Sequence, residues 1–121
     1  MLFNMLYPRR CPICTDIVMP KGQLVCPECV ENIPYIEGPR CYRCGKELRD
    51  ERTEYCFDCS KHIMYYEKGI SLFRYNHVMR RAMDGFKYKN RREYADFFVV
   101  ELIRMYGSVM QSWEADAIIP I

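Results

Sequence analysis

Eight cysteines occur in the chain, and each belongs to a Cys-x-x-Cys pair: Cys11 with Cys14, Cys26 with Cys29, Cys41 with Cys44, and Cys56 with Cys59. A thiolate is both a nucleophile and a soft metal ligand, so spacing decides which chemistry is meant. A disulfide inside such a pair closes a tight, strained loop that suits redox exchange and does not staple a fold. Two pairs brought together supply the four sulfurs of a tetrahedral metal site. The second set repeats the first with a constant shift of 30 positions, and eleven residues separate the two pairs within each set. The pattern predicts two zinc ions, one on Cys11, Cys14, Cys26 and Cys29 and one on Cys41, Cys44, Cys56 and Cys59, with interleaved cross-brace pairing as the alternative. Four thiolates leave no open position for water, so both ions are expected to be structural. Iron in the same sulfur cage, making an electron carrier, is the chemical rival. His62, three residues beyond Cys59, is read as a surface residue, with substitution as a ligand the alternative.

The elements that must hold these sulfurs are short. Each unit spans 19 residues from its first to its last cysteine, well below the ~40 at which a chain usually needs help to fold. Zinc stands in for a core there, at roughly 10 to 16 kcal/mol per site. Gly45, directly after Cys44, suits the turned backbone of a metal knuckle, and Thr15 takes that place in the first unit. Val30 to Arg40, with Pro34, Gly38 and Pro39, joins the units. Aromatic and β-branched residues from Met64 to Tyr75 predict one or two strands. Asn76 is expected to cap a helix with apolar positions Val78, Met79, Ala82, Met83 and Phe86, its last turn weakened by Gly85. A second helix is expected after Asn90, with Glu93 completing a capping box. Its wide apolar face, Tyr94, Ala95, Phe98, Leu102, Met105, Tyr106 and Val109, demands more cover than the visible chain supplies. Ala115 to Ile121 (ADAIIPI) reads as a buried strand without a partner, which implies an incomplete chain or reliance on another polypeptide. The fold class expected is a small metal-stabilised β region, tandem zinc ribbons over residues 1–62, followed by an α/β segment over residues 63–121.

Composition narrows the function classes. The chain has 121 residues, half of them hydrophobic, which excludes disorder and allows one ordinary domain or two small ones. No apolar run approaches the ~18 residues that cross a bilayer, so no membrane insertion is expected. The opening MLFNMLYP lacks a basic n-region, which predicts no export and a cytoplasmic chain with reduced thiols. Residues 61–121 hold ten Lys/Arg against seven Asp/Glu, whereas residues 1–60 hold eight against nine. Between Arg74 and Arg92 seven basic residues face one acid, Asp84, with Tyr75, Phe86 and Tyr88 among them and Tyr94 two positions beyond. Phosphate neutralisation with stacked bases needs that mixture, so Arg80, Arg81, Lys87, Lys89, Arg91 and Arg92 are candidate nucleic-acid or phosphate contacts. A solvated helix face is the plainer alternative. No Gly-rich phosphate loop, histidine beside a nucleophile or acid–base carboxylate pair is visible.

Taken in order, YPRRCPIC, the two CxxC-x11-CxxC units, LFRYNHVMRRAMDGFKYKNRREYADFF and the final ADAIIPI resemble the ComF family of competence-associated proteins. The resemblance covers nearly the whole chain. It implies an N-terminal double zinc ribbon followed by the opening of a type I phosphoribosyltransferase fold. Phe86, Lys87 and Tyr88 are similar to the family's Lys-Tyr motif, and Ile119, Pro120 and Ile121 to the start of its Pro-x-Pro strand end. The family's Arg-Gly-(Tyr/Phe)-Asn-Gln segment and its Asp-Asp-x-x-Thr-Thr-Gly-type loop lie beyond Ile121, so no catalytic residue carries over. The role implied is a zinc-bearing portion that binds nucleic acid, single-stranded DNA included, or positions a transferase domain. Competence machinery proteins are the implied partners. The alternative is a scaffold within an active, nucleotide- or pyrophosphate-dependent phosphoribosyltransferase.

Overall fold

Both cysteine units begin with the same backbone turn, in a computed structural model that describes residues 2–121. In the first, Thr15 N–H donates to Cys11 O (2.9 Å) and Cys11 N–H to Asp16 O (2.8 Å); in the second, Gly45 N–H donates to Cys41 O (2.9 Å) and Cys41 N–H to Lys46 O (2.8 Å). A single antiparallel bridge flanks each turn, Arg10 with Ile17 and Arg40 with Glu47, again 30 positions apart. The second cysteine pair of each unit opens a short helix, a 3-10 helix over Pro27–Asn32 and helix α2 over Phe57–Lys61, which follows an N-terminal helix α1 over Leu2–Leu6. The sequence reading assigned no element to α1. Its Leu2, Phe3, Met5 and Leu6 are exposed.

The β content is smaller than expected. Residues 64–75 form no strand; they run as a loop whose one bridge joins Phe73 to Tyr35. Ile36 N–H donates to Leu72 O (3.2 Å) and Arg74 N–H to Pro34 O (2.7 Å), so pairing lasts only as long as the proline-bounded connector stays extended. No sheet exists among the described residues, so the phosphoribosyltransferase-like α/β opening rests on the sequence resemblance alone. Residues 115–121, expected as a buried strand, are exposed coil with Ile118 at 95% and Ile119 at 83% exposure. An apolar strand needs an edge to pair with, and none is offered among the described residues.

Helix α3, His77–Tyr88, starts as expected: the Asn76 side chain accepts from Met79 N–H at 3.0 Å. Helix α4, Tyr94–Ser112, begins later than the capping-box reading placed it. Asn90 adopts a left-handed φ of 55°, a turn conformation, and Glu93 already lies in helical space without a side-chain cap. Gly85 of α3 lies against the Tyr94 ring at the start of α4. A Cβ there would lie 2.9 Å from Tyr94 Cε2, so the glycine expected to weaken the helix instead admits the tyrosine ring.

Burial centres on the first unit. Cys11, Ile13, Val18, Val25, Cys26, Cys29, Ile33 and Phe97 form one cluster, with Tyr35, Phe73, Val78 and Phe98 packed against it. Phe73 stacks on Phe97 (centroids 5.7 Å apart) and meets Tyr35 and Phe98 at 5.6 and 6.2 Å. The apolar face of α4 is thus covered in its first two turns. Val99, Val100 and Ile103 stay exposed. The second unit has almost no core: Cys41, Leu48, Cys56 and Cys59, with Cys44 and Met64 at the edge.

Phe97, 2% exposed, joins α4 to the first metal knuckle. Replacing it with alanine is expected to cost about 3 to 5 kcal/mol of stability in zinc-saturated urea denaturation, the range for emptying a buried aromatic site.

Candidate metal centre

Four sulfurs converge in each unit. The Sγ atoms of Cys11, Cys14, Cys26 and Cys29 lie within 4.8 Å of one another, and so do those of Cys41, Cys44, Cys56 and Cys59. Tetrahedral zinc with ~2.3 Å bonds sets sulfur–sulfur separations of about 3.8 Å. Cys14 to Cys26 is 4.0 Å and Cys44 to Cys56 is 3.7 Å, on either side of that value. The donor sets suit two structural zinc ions, in sequential pairing and not in the interleaved alternative. No His/Cys/Asp/Glu cluster among the described residues includes His62, which is exposed.

The backbone prepares these sulfurs for charge. Burial raises the Cys41 thiol, but amide donors of Cys44, Cys56 and Arg43 outweigh it and bring the group down to about 6. Cys11 is lowered the same way, against its burial, by the amides of Cys14, Cys26 and Ile13. Burial, joined by neighbouring sulfurs, pushes Cys29 and Cys44 up to about 12 even though the Lys46 amide opposes the rise at Cys44. Zinc loading at neutral pH therefore displaces protons from thiols that would not ionise alone. Backbone donors remain on the sulfurs: Lys46 N–H to Cys44 Sγ at 3.4 Å and Cys59 N–H to Cys56 Sγ at 3.5 Å.

Around the two knuckles the rest of the chain divides its labour. Arg81 donates to Ile13 O and Tyr94 Oη–H to Cys11 O (3.3 Å), seating α3 and α4 on the first turn. Arg9 reaches Glu93 O (2.8 Å) and Asp96 Oδ2 (2.6 Å). Tyr35 Oη–H donates to Glu101 Oε2 (2.5 Å), which also accepts from Arg104. Glu101 is raised by burial, yet its hydrogen bonds from Arg104 and Tyr35 bring it below the usual carboxylate range. The second turn is held by a loop: Gly69 N–H donates to Arg43 O (2.6 Å) and Ser71 Oγ–H to Cys44 O (2.9 Å). Arg40 connects that turn to Tyr106 Oη of α4 (2.6 Å) and to the carbonyls of Ile36 and Ser71.

The candidate phosphate contacts fall into three placements. Arg80 lies over the Tyr75 ring, 5.7 Å from its centroid. Arg81, Lys89 and Arg91 line one pocket beside the first knuckle, together with Arg10. Lys87 and Arg92 are exposed outside it. Sequence reasoning passed over Arg9, Arg10, Arg40 and Phe97. Arg10 and Arg40 were legible in principle, since the 30-residue repeat extends one position upstream to place an arginine before each knuckle.

Residues 2–60 match the family model described as a double zinc ribbon domain. No match is found among curated proteins or among solved structures. Sulfur geometry and family match agree: the N-terminal half is a zinc-binding double zinc ribbon domain. No helix among the described residues is long and apolar enough to cross a membrane.

Two outcomes follow from the unequal surroundings of the knuckles. Thr15 holds a left-handed φ of 73°, costly for a β-branched residue, whereas Gly45 holds φ 74° with Ser71 N only 2.8 Å from where a Cβ would sit. Thr15→Gly is expected to raise resistance to chelator-driven unfolding by about 1 kcal/mol, and Gly45→Ala to lower it by more than that. Cys29→Ser and Cys59→Ser should each leave one zinc per chain. Only Cys29→Ser should strip most of the 222 nm helical signal, because α3 and α4 sit on the first turn; equal losses would contradict this.

Proposed function

We propose that the chain is the zinc-bearing part of a ComF-like protein and that its α3–α4 turn holds the phosphate backbone of nucleic acid, with single-stranded DNA the first polymer to test. The double zinc ribbon match over residues 2–60 supports the zinc-bearing half of this reading. One observation carries the binding half. Of the seven basic residues from Arg74 to Arg92, Arg74 is taken by Glu47 in a two-pronged pair at 2.6 Å and Arg91 reaches Glu93 at 4.0 Å, while Arg80, Arg81, Lys87, Lys89 and Arg92 have no ion pair among the described residues. Uncompensated cations on one helix and the turn after it are what a polyanion displaces counterions to reach. By the same resemblance, the module serves competence-linked DNA uptake in the cytoplasm and positions a phosphoribosyltransferase-like domain. One zinc ion fixes the first knuckle, the knuckle seats α3 and α4, and the helices present the cations.

The test avoids Arg81, whose side chain holds Ile13 O. Arg80→Gln, Lys87→Gln and Arg92→Gln combined should weaken binding of oligo-dT by tenfold or more and flatten the dependence of affinity on salt by roughly 2 logarithmic units per decade, at ~0.7 for each single-strand phosphate that is no longer neutralised. Fluorescence anisotropy at several salt concentrations reads both. Unchanged affinity and slope would remove nucleic acid from this surface.

A further inference from the structure

Beside the first knuckle lies a pocket of about 280 Å³ with four cationic side chains on its wall, Arg10, Arg81, Lys89 and Arg91. Ordinary small-molecule sites start near ~300 Å³, so this one suits a compact ligand. Two of its cations are held in place by the metal-bearing turn itself: Arg10 donates to Thr15 O at 3.1 Å, and Arg81 to Ile13 O. A guanidinium has five N–H donors, so each of these groups is anchored through one or two and keeps the others for a ligand. Lys89 and Arg91 come from the turn between α3 and α4, where Arg91 N–H bonds to Gly85 O at 3.1 Å. The acids are few. Glu93 stands 4.0 Å from Arg91, and the zinc-loaded tetrathiolate next door carries about −2, which leaves the four cations under-compensated.

We propose that this pocket binds a phosphate group, free pyrophosphate or the backbone of a nucleic acid being its two sources. Arginine forks match the paired oxygens of phosphate, and the anchored geometry of Arg10 and Arg81 lowers the ordering cost of binding. The pocket draws on the same phosphate chemistry as the nucleic-acid reading and rests on it for ligand class. Arg81 and Lys89 belong to both, but the substitutions that test the pocket, at Lys89 and Arg91, are not those that test the nucleic-acid reading, at Arg80, Lys87 and Arg92, so the two readings fail separately.

Calorimetric titration of the zinc-loaded full chain with inorganic pyrophosphate, and in parallel with inorganic phosphate, tests the pocket. One saturable site per chain is expected. Lys89→Gln with Arg91→Gln should weaken it at least tenfold while two zinc ions per chain remain, and Arg49→Gln with Arg52→Gln, exposed in the second unit, should leave it unchanged. Should the first pair of substitutions shed zinc, Lys89→Gln alone carries the test, with a threefold or greater loss expected. Saturating pyrophosphate that displaces oligo-dT identifies the nucleic-acid backbone as the source; undisturbed oligo-dT binding identifies the free anion. Absence of saturable binding by either anion overturns the proposal, as does an affinity that Lys89→Gln does not move.

Discussion

A tetrathiolate turn has two sides, and the whole chain is organised by their difference. Amide groups are drawn toward the sulfurs, where they favour the ionised form, as at Cys41 and Cys11. The carbonyls of the same residues are thereby left for other partners. Cys11 O and Ile13 O receive Tyr94 and Arg81, Thr15 O receives Arg10, and Arg43 O and Cys44 O receive Gly69 and Ser71. A backbone acceptor removed from water without a donor costs roughly 1 to 3 kcal/mol. Metal binding thus does more than close two small loops. It creates a fixed set of acceptors; Thr15 N–H and Arg10 meet part of it from within the first unit, and the C-terminal half brings the rest of the donors as arginine, tyrosine, serine and a loop amide.

The duplicated units have diverged in what they carry, and the divergence is visible in a single residue. At φ near 73° both turns want glycine. The second unit has it because residues 69–71 pass so close that a Cβ would strike the backbone. In the first unit Thr15 faces a pocket instead, and threonine holds that conformation at a cost. The space left open there becomes part of the pocket lined by Arg10 and Arg81. Packing follows the same split: aromatic rings from Tyr35, Phe73, Phe97 and Phe98 give the first unit an organic core, while the second has little beyond its cysteines and Leu48. Zinc holds both, but only at the first does it also hold the helices.

The parts of this architecture that the sequence made legible are those fixed by local chemistry. Cysteine spacing and its 30-residue shift yielded both metal sites, and Asn76 yielded the start of α3, since a cap needs only a side chain and an amide three residues on. Expectations that depended on distant partners fared differently. Residues 64–75 have the composition of a strand, yet their surroundings offer a short connector and a metal turn, so they divide their hydrogen bonds between the two. Asn90 and Glu93 matched a capping box, but Gly85 and Tyr94 pull the chain into a left-handed turn first and postpone the helix. Phe97 is as deeply buried as Tyr94, and the periodicity could not mark it above Phe98, because that choice is made by Phe73 and the cysteine cluster across from it.

Arginine beside a metal–thiolate centre has a plain structural use, charge compensation, and the two knuckles let that use be separated from ligand binding. If compensation were the whole role, both tetrathiolates, equal in charge, would hold their cations in a similar arrangement. At the second turn they are dispersed: Arg40 spends its guanidinium on Ile36 O, Ser71 O and Tyr106, Lys46 reaches Asp58 at 3.4 Å, Arg43 lies 5.7 Å from the centroid of the Tyr55 ring, and Lys68 stands on a pocket wall with Arg40. The first has four cations around one opening, with a single acid at 4.0 Å from one of them. Equal negative charge with a different gathering of cations means that the arrangement at the first knuckle is set by something other than the sulfurs. An anion entering between the turn and the helices supplies that missing charge, and it does so where the metal has already fixed two of the donors.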